Sequence, residues 1–428
     1  MQVPLRQTLR YGRSEISFYL KGTYRVETLV PSRPALRLDE NEILKIRLRN
    51  PLATRPLEEI LRPGDRVLLV VPDKTRVARL DVVLPFLMTV FQQKKIPDDR
   101  VGIVFASGSH SRMSEAEKKE ILGDAAYSRF ALFEHDCWSG PFKEAGKTRR
   151  GTPVWVNSIL YEYDRVVVIG PVVHHYFAGF GGGPKMIVPG LASHQTIEAN
   201  HRLAVQSDEG PLHPACRPGN LEKNPVYEDI QEAAQLVRPI DFAIQLVLDE
   251  QNGIVDAFCG DLFSSFQKAG LRVNQINCVE IDEQADVVIA SAGGYPKDVN
   301  LIQTHKAIHH SVQALKPGGI LLLAAECKEG VGNPDLPGWF RFPNFASMKQ
   351  AVMRDFHLNA NTALALKHKL MQYKVLLVSE LDHDLLRNMG FYPFRNFEQA
   401  LETVEKIMPP DPLIYIIPNA SITLPVTK

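Results

Sequence analysis

The chain has 428 residues, enough for two or three domains with substantial cores. Hydrophobic residues make up 45% and charged residues 23%, as in soluble globular proteins. The 49 basic and 49 acidic residues cancel, leaving no global field to attract nucleic acid or an anionic membrane. Five scattered cysteines without a CxxC pair argue against a disulfide framework or a cysteine zinc site and for a reducing compartment. The opening stretch MQVPLRQTLRYGRSEISFYL has no long apolar core, and no later apolar run approaches ~18 residues. A cytoplasmic location is therefore expected, with no membrane and no nucleic-acid partner.

In chain order, DRVLLVVPD (65–73), RVGIVFASG (100–108) and DRVVVIGPV (164–172) are predicted as buried strands. Between the first two, ARLDVVLPFLMTVFQQKK has apolar residues at helical spacing, with Pro85 expected to bend or start the helix. Ser114 and Glu117 have the spacing of a capping box, so a helix should follow the second strand closely. After an irregular Pro/Gly-rich stretch (208–225), three more strands are predicted in ADVVIASAGG (285–294), GGILLLAAECKEG (318–330) and YKVLLVSEL (373–381). The tail PLIYIIPNASITLPV suggests a strand and hairpin. This alternation predicts two α/β domains with mostly parallel or mixed sheets and an active site in the cleft between them. The expected boundaries are 1–275 and 276–410, with 411–428 returning to the first domain.

In open α/β sheets, ligands sit beyond the carboxyl ends of the strands. Asp73, Lys74, Thr75 and Arg76 follow the first strand, Ser107 to His110 the second, and HHYFAGFGGGPKMIVPG (174–190) the third. In the second domain, Gly293, Gly294, Tyr295, Gln303 and Lys306 follow a strand. A single loop histidine is ordinarily a polar surface residue, Asp73 and Arg76 could be a solvated ion pair, and Lys306 an exposed helix residue. The concentration of such groups at strand ends favours a site. The glycine loop fits neither well-known phosphate class. Pro184 and Met186 flank Lys185 where a P-loop has Gly and Ser or Thr, and Pro189 and Gly190 forbid the helix a dinucleotide fingerprint opens.

GSH at 108–110, HYFAGFGGGPK at 175–185, His201 and GGYPKDVNLIQTHK at 293–306 together resemble the nickel-pincer lactate racemase family. The resemblance runs from YGRSEISFYL near the start to IIPNASITLP near the end. It implies an isomerase acting on a small 2-hydroxy acid. Its cofactors would be nickel and a pyridinium-3,5-bisthiocarboxylic acid mononucleotide joined to Lys185, made by separate biosynthetic proteins. By the same resemblance His201 is the protein's nickel ligand, and His110 and His175 are the acid/base pair. Asp73, Thr75, Gly182 and Gly183 would lie at the cofactor, and Arg76, Tyr295, Gln303 and Lys306 at the substrate. The domain 1–275 would carry the cofactor loop and both histidines, and 276–410 would close the substrate pocket.

The residue types suit that chemistry. Moving a hydride from the α-carbon avoids a carbanion, two imidazoles can serve opposite faces at neutral pH, and a guanidinium makes a two-pronged carboxylate clamp. Imidazole is also a suitable nickel ligand. One departure stands out: the family usually has GYSGGRK where this chain has GFGGGPK, so altered contacts near cofactor or substrate are expected, and a 2-hydroxy acid other than lactate stays open. A nicotinamide-dependent dehydrogenase and a non-catalytic ligand sensor are the alternatives. The first lacks its fingerprint glycines, and the second would not need the full functional set.

Overall fold

The computed structural model describes residues 6–21, 24–32, 38–205 and 210–428. The chain forms two compact units. A central unit comprises Arg33–Ala204 and His213–Asn274; a terminal unit comprises Met1–Ser32, Val205–Leu212 and Gln275–Lys428. No described helix is long and apolar enough to cross a membrane.

The central unit is built on six strands in the order Ile254–Gly260, Phe242–Leu248, Arg165–Pro171, Val67–Val71, Val101–Phe105, Ala131–Glu134. Only the first pair is antiparallel. VLLVV (67–71) and VGIVF (101–105) are buried at every position, as unbroken apolar runs should be when helices cover both sheet faces. The helix Leu80–Gln93 contains Pro85 rather than starting at it. The capping box at Ser114 and Glu117 forms as expected. Successive strands step outward in opposite directions from Val67–Val71 and from Arg165–Pro171. The order therefore reverses between these two neighbours, and a crevice opens beyond their carboxyl ends.

The terminal unit holds a second six-stranded sheet, wholly parallel, in the order Tyr392–Phe394, Lys374–Val378, Leu315–Ala324, Ala285–Ser291, Leu413–Ile417, Arg25–Thr28. Its reversal lies between Ala285–Ser291 and Leu413–Ile417, just before Gly293 and Tyr295. Two expectations about domain limits differ from this structure. The tail does not return to the first domain: Leu413–Ile417 is buried throughout and pairs with Ala285–Ser291. Nor do the first 32 residues join the unit that follows them. Arg25–Thr28 closes the second sheet, and Leu9 and Phe18 of the hairpin Gln7–Tyr11/Ser14–Phe18 enter its core. Both are pairings distant in sequence, which strand periodicity cannot assign. Of the irregular stretch, 208–209 lie outside the described residues, while 210–224 make turns leading into the helix Pro225–Leu236.

Candidate active site in the central unit

At the sheet's reversal point the chain leaves Val71 through Pro72 into a tight polar turn. Asp73, 3% exposed, accepts from the Thr75 N–H (2.9 Å) and the Thr75 hydroxyl (2.6 Å) through Oδ1, and pairs with His110 Nδ1 through Oδ2 (2.5 Å). Burial by itself would raise the Asp73 pKa, but His110, Thr75 and Arg76 outweigh it and hold the carboxyl at about 2. Arg76 Nη1 donates to the Thr75 carbonyl (3.0 Å) and hydroxyl (3.2 Å). His110 sits on the turn after Val101–Phe105, closed by its own N–H to Ser107 O (3.0 Å) and anchored by Gly108 N–H to Gly190 O (2.9 Å). That bond ties the His110 turn to the segment following Lys185.

The glycine-rich segment begins as a small hairpin, Val173–His175 against Gly179–Gly181. Side chains alternate along a strand, so the adjacent imidazoles diverge. His174 stacks on its cross-strand partner Phe180 (5.4 Å) and bonds Asn274 Oδ1 through Nε2 (2.7 Å); burial brings its pKa to about 4, and its setting is structural. His175 turns to the edge of Phe177 (4.6 Å), and its Nδ1 accepts from the Ala178 N–H (3.3 Å). Gly182 and Gly183 both have positive φ, 87° and 54°. A Cβ at Gly182 would strike the Pro171 carbonyl, and one at Gly183 the Phe266 ring. These glycines are thus required by the protein's own close packing. The Gly183 N–H donates to Gln245 Oε1 (3.1 Å), and Pro184 opens the single turn Gly183–Met186 that presents Lys185.

Lys185 and His201 share an aromatic wall. The ammonium lies 5.4 Å from the centre of Phe177, and His201 meets the same ring edge-on at 5.0 Å. Neither side chain has a carboxylate partner among the described residues, and the buried His201 Nε2 has no hydrogen-bond partner. Burial, with Arg76 adding repulsion, lowers Lys185 to about 7. Burial, with Lys185 adding repulsion, lowers His201 to about 3. At neutral pH His201 is therefore an uncharged imidazole with an unused lone pair, and a large fraction of Lys185 is free amine. Among the described residues no three His, Cys, Asp or Glu side chains converge as a ligand set.

The structure thus brings Asp73, Thr75, Arg76, His110, His175, Gly182, Gly183, Lys185 and His201 into one unit. Tyr295, Gln303 and Lys306 belong to the terminal unit. There Lys306 Nζ donates to Gln303 Oε1 (2.5 Å), and Tyr295 carries the Arg13 guanidinium 4.1 Å above its ring. Sequence reasoning did not single out Phe177, which touches three of the expected functional side chains, or Gln245, which pins the loop. A lone amide inside the apolar strand FAIQLVL was a usable signal for Gln245. Nothing comparable marked Phe177 as different from its aromatic neighbours.

Family models described as the lactate racemase N-terminal domain and the lactate racemase C-terminal domain match residues 11–211 and 281–424. The chain is 31% identical over 422 residues to the lactate racemase of Thermoanaerobacterium thermosaccharolyticum, covering 96% of each sequence. It is 28% identical over 378 residues to the lactate racemase of Lactiplantibacillus plantarum, covering 86% of each. The solved lactate racemase apoprotein from T. thermosaccharolyticum superposes with a TM-score of 0.86 at 28% identity, over 99% of this chain and 100% of that one. A Thermotoga maritima protein of solved structure shares the fold (TM-score 0.72, 20% identity, 92% and 100% covered). With both family domains matched in order and a relative above 30% identity along nearly its whole length, the chain belongs to the lactate racemase family.

Proposed function

We propose that the protein is a racemase or epimerase of a lactate-like 2-hydroxy acid that uses a nickel-pincer nucleotide tethered to Lys185. The observation that carries this reading is the pairing of Lys185 with His201: two part-buried basic groups against one ring, with no acid partner among the described residues, one of them with an orphaned nitrogen. The residues fit the group. A lysine near 7 offers an uncharged amine for an amide-type bond at neutral pH, and a neutral imidazole with a bare Nε2 is what a metal requires of histidine. Because the protein supplies a single such ligand there, the organic group would have to provide the others. When bound, the nickel-pincer nucleotide would supply an electron-poor centre able to accept the C2 hydrogen of the substrate together with its electron pair.

The chain's own residues would handle the charge and the protons. Arg76 offers a guanidinium for the substrate carboxylate, with Gln303, Lys306 and Tyr295 proposed as further substrate contacts. Asp73 accepts from Nδ1–H of His110 and so leaves Nε2 of that ring as a base for the hydroxyl proton. His175 is set the other way: its Nδ1 accepts from the Ala178 N–H, which puts the proton of the neutral ring on Nε2, and to act as an acid it would first have to gain a second proton. Inversion in one direction would use one histidine as the neutral base and the other as the imidazolium acid. The base then ends the cycle as imidazolium and the acid as neutral imidazole, so the reverse direction exchanges the roles. Proteins that make the pincer nucleotide are the implied partners.

Racemisation in D₂O tests the reaction type. Product with little deuterium at C2 is expected, since a hydrogen that moves with its electron pair never meets solvent. Near-complete deuterium incorporation would mean that the imidazoles act directly on carbon, and the proposal would fall.

A further inference from the structure

One buried carboxylate lies outside the site yet connects to it. Asp229, on the helix Pro225–Leu236, is 0% exposed. It accepts from Thr148 Oγ1 through Oδ1 (2.5 Å), and from Thr152 Oγ1 (2.7 Å) and Asn200 Nδ2 (2.9 Å) through Oδ2. Among the described residues it has no lysine or arginine partner. Three neutral donors are a demanding way to hold a dry carboxylate, because losing any one leaves a buried acceptor short. Asn200 immediately precedes His201 on the helix His194–Arg202, is itself 0% exposed, and its Oδ1 has no partner. Its polar hold on the core therefore runs through Nδ2 alone, to Asp229 and to the Val226 carbonyl (3.1 Å).

We propose that Asp229 is a positioning residue for His201, acting through Asn200 to fix the roll of the helix that carries the imidazole. The other end of that helix is held separately. Ser193 caps it, and Thr196 Oγ1 donates to Pro153 O (2.7 Å) and accepts from Trp155 N–H (2.9 Å). With its start pinned by Thr196 and its end by Asn200, the helix cannot rotate about its axis. Side-chain tips lie about 5–6 Å from a helix axis, so a roll of ~20° would carry a ring roughly 2 Å. Metal–ligand distances tolerate only about 0.2 Å. The Asp229 clamp thus acts on the one protein ligand the proposed nickel site has, and the inference rests on that reading of His201.

The test uses the full-length chain and two readouts. In apoprotein, the His201 ring signals, assigned with His201→Ala, are followed by NMR in Asp229→Asn, Asn200→Ala and the double variant. In protein made together with the cofactor pathway, nickel lost to a chelator is measured per mole of Lys185 adduct. Asp229→Asn should shift the His201 signals and release nickel ~10-fold faster, the scale of ligand-supporting contacts, with the adduct retained. The double variant should add little to either single one, because the two residues act as one unit. Thr152→Val, which removes one donor and keeps the shape, should move both readouts the same way by less, and serves if Asp229→Asn does not fold. A lower melting temperature with unmoved His201 signals and an unchanged nickel loss rate would show a purely structural clamp and overturn the inference. A wild-type protein without adduct or nickel would overturn the proposed function instead, while the apoprotein signals would still decide the role of Asp229.

Discussion

Each unit of this protein buries a cluster of basic side chains, and the two clusters have the same electrostatic signature. In the central unit burial draws Lys185 to about 7 and His201 to about 3. In the terminal unit burial draws Lys369 to about 7, and His305 and His309 lie well below the ordinary imidazole range, first through burial and then through Lys369. The partners of the two lysines separate them. Lys369 Nζ donates to the Ala365 carbonyl of its own helix (3.0 Å) and lies 3.4 Å from His305 Nε2, so its protons have acceptors. Among the described residues Lys185 has an aromatic ring, a neighbouring histidine and no acceptor. A depressed pKa reports desolvation alone; a part-buried base with nothing in the protein to bond marks a place for something else.

The strongest way to break this comparison is to remove each lysine. Lys185→Ala should abolish a covalent adduct of a few hundred daltons (roughly a modified mononucleotide) in the intact mass spectrum, and with it all racemisation. Lys369→Met should keep both. An active Lys185→Ala enzyme would remove the distinction between the clusters. Next in size are the histidines. His110→Ala and His175→Ala should each lose ~10²-fold or more in kcat while retaining nickel and adduct, as expected of general acid/base groups. His201→Ala should lose the nickel and keep the adduct. Metal analysis beside the mass spectrum separates these outcomes, and normal turnover by His110→Ala would end its assignment.

The smallest effect sharpens the comparison through pH. The folded value of Lys369, about 7, lies below its ordinary 10.5. Between those values the unfolded chain holds the proton that the folded chain has released, so wild-type stability rises with pH across this window. The cost of keeping this amine dry is present in full below about 7 and vanishes above 10.5. Lys369→Met should accordingly melt higher than wild type at pH 7, and the gap should close as the pH approaches 10.5. A gap that ignores pH would mean that Lys369 is charged and paired in the folded protein.

The departure of GFGGGPK from the usual family loop takes on a different meaning in three dimensions. Phe180 is 2% exposed and packs on His174 and edge-on to Phe266 (6.2 Å), and Pro184 opens the Lys185 turn at a position where a missing N–H costs nothing. These two replacements therefore serve the packing beneath the loop. The expectation of altered contacts at substrate is not carried by Phe180 and rests on Gly181 and Pro184.

By itself, the sequence determined three strands of each sheet, the strand in the tail, the α/β class and the residues at those strand ends, because buried parallel strands must be unbroken apolar runs and their carboxyl ends must face the crevice. Family motifs added roles to Lys185, His201, His110 and His175. Tertiary structure alone decided which sheet the tail strand and Arg25–Thr28 join, since their pairing partners lie far away in sequence, as with Val287 and Ile414 or Arg25 and Leu413. It alone gave the physical reason that His174 and His175 differ, since a three-residue strand sends their adjacent rings to opposite faces. And it alone exposed Phe177, Gln245 and the Asp229–Asn200 clamp: their importance lies in contacts across 62 residues for Gln245 and Gly183 and 29 for Asp229 and Asn200, distances that no local spacing rule spans.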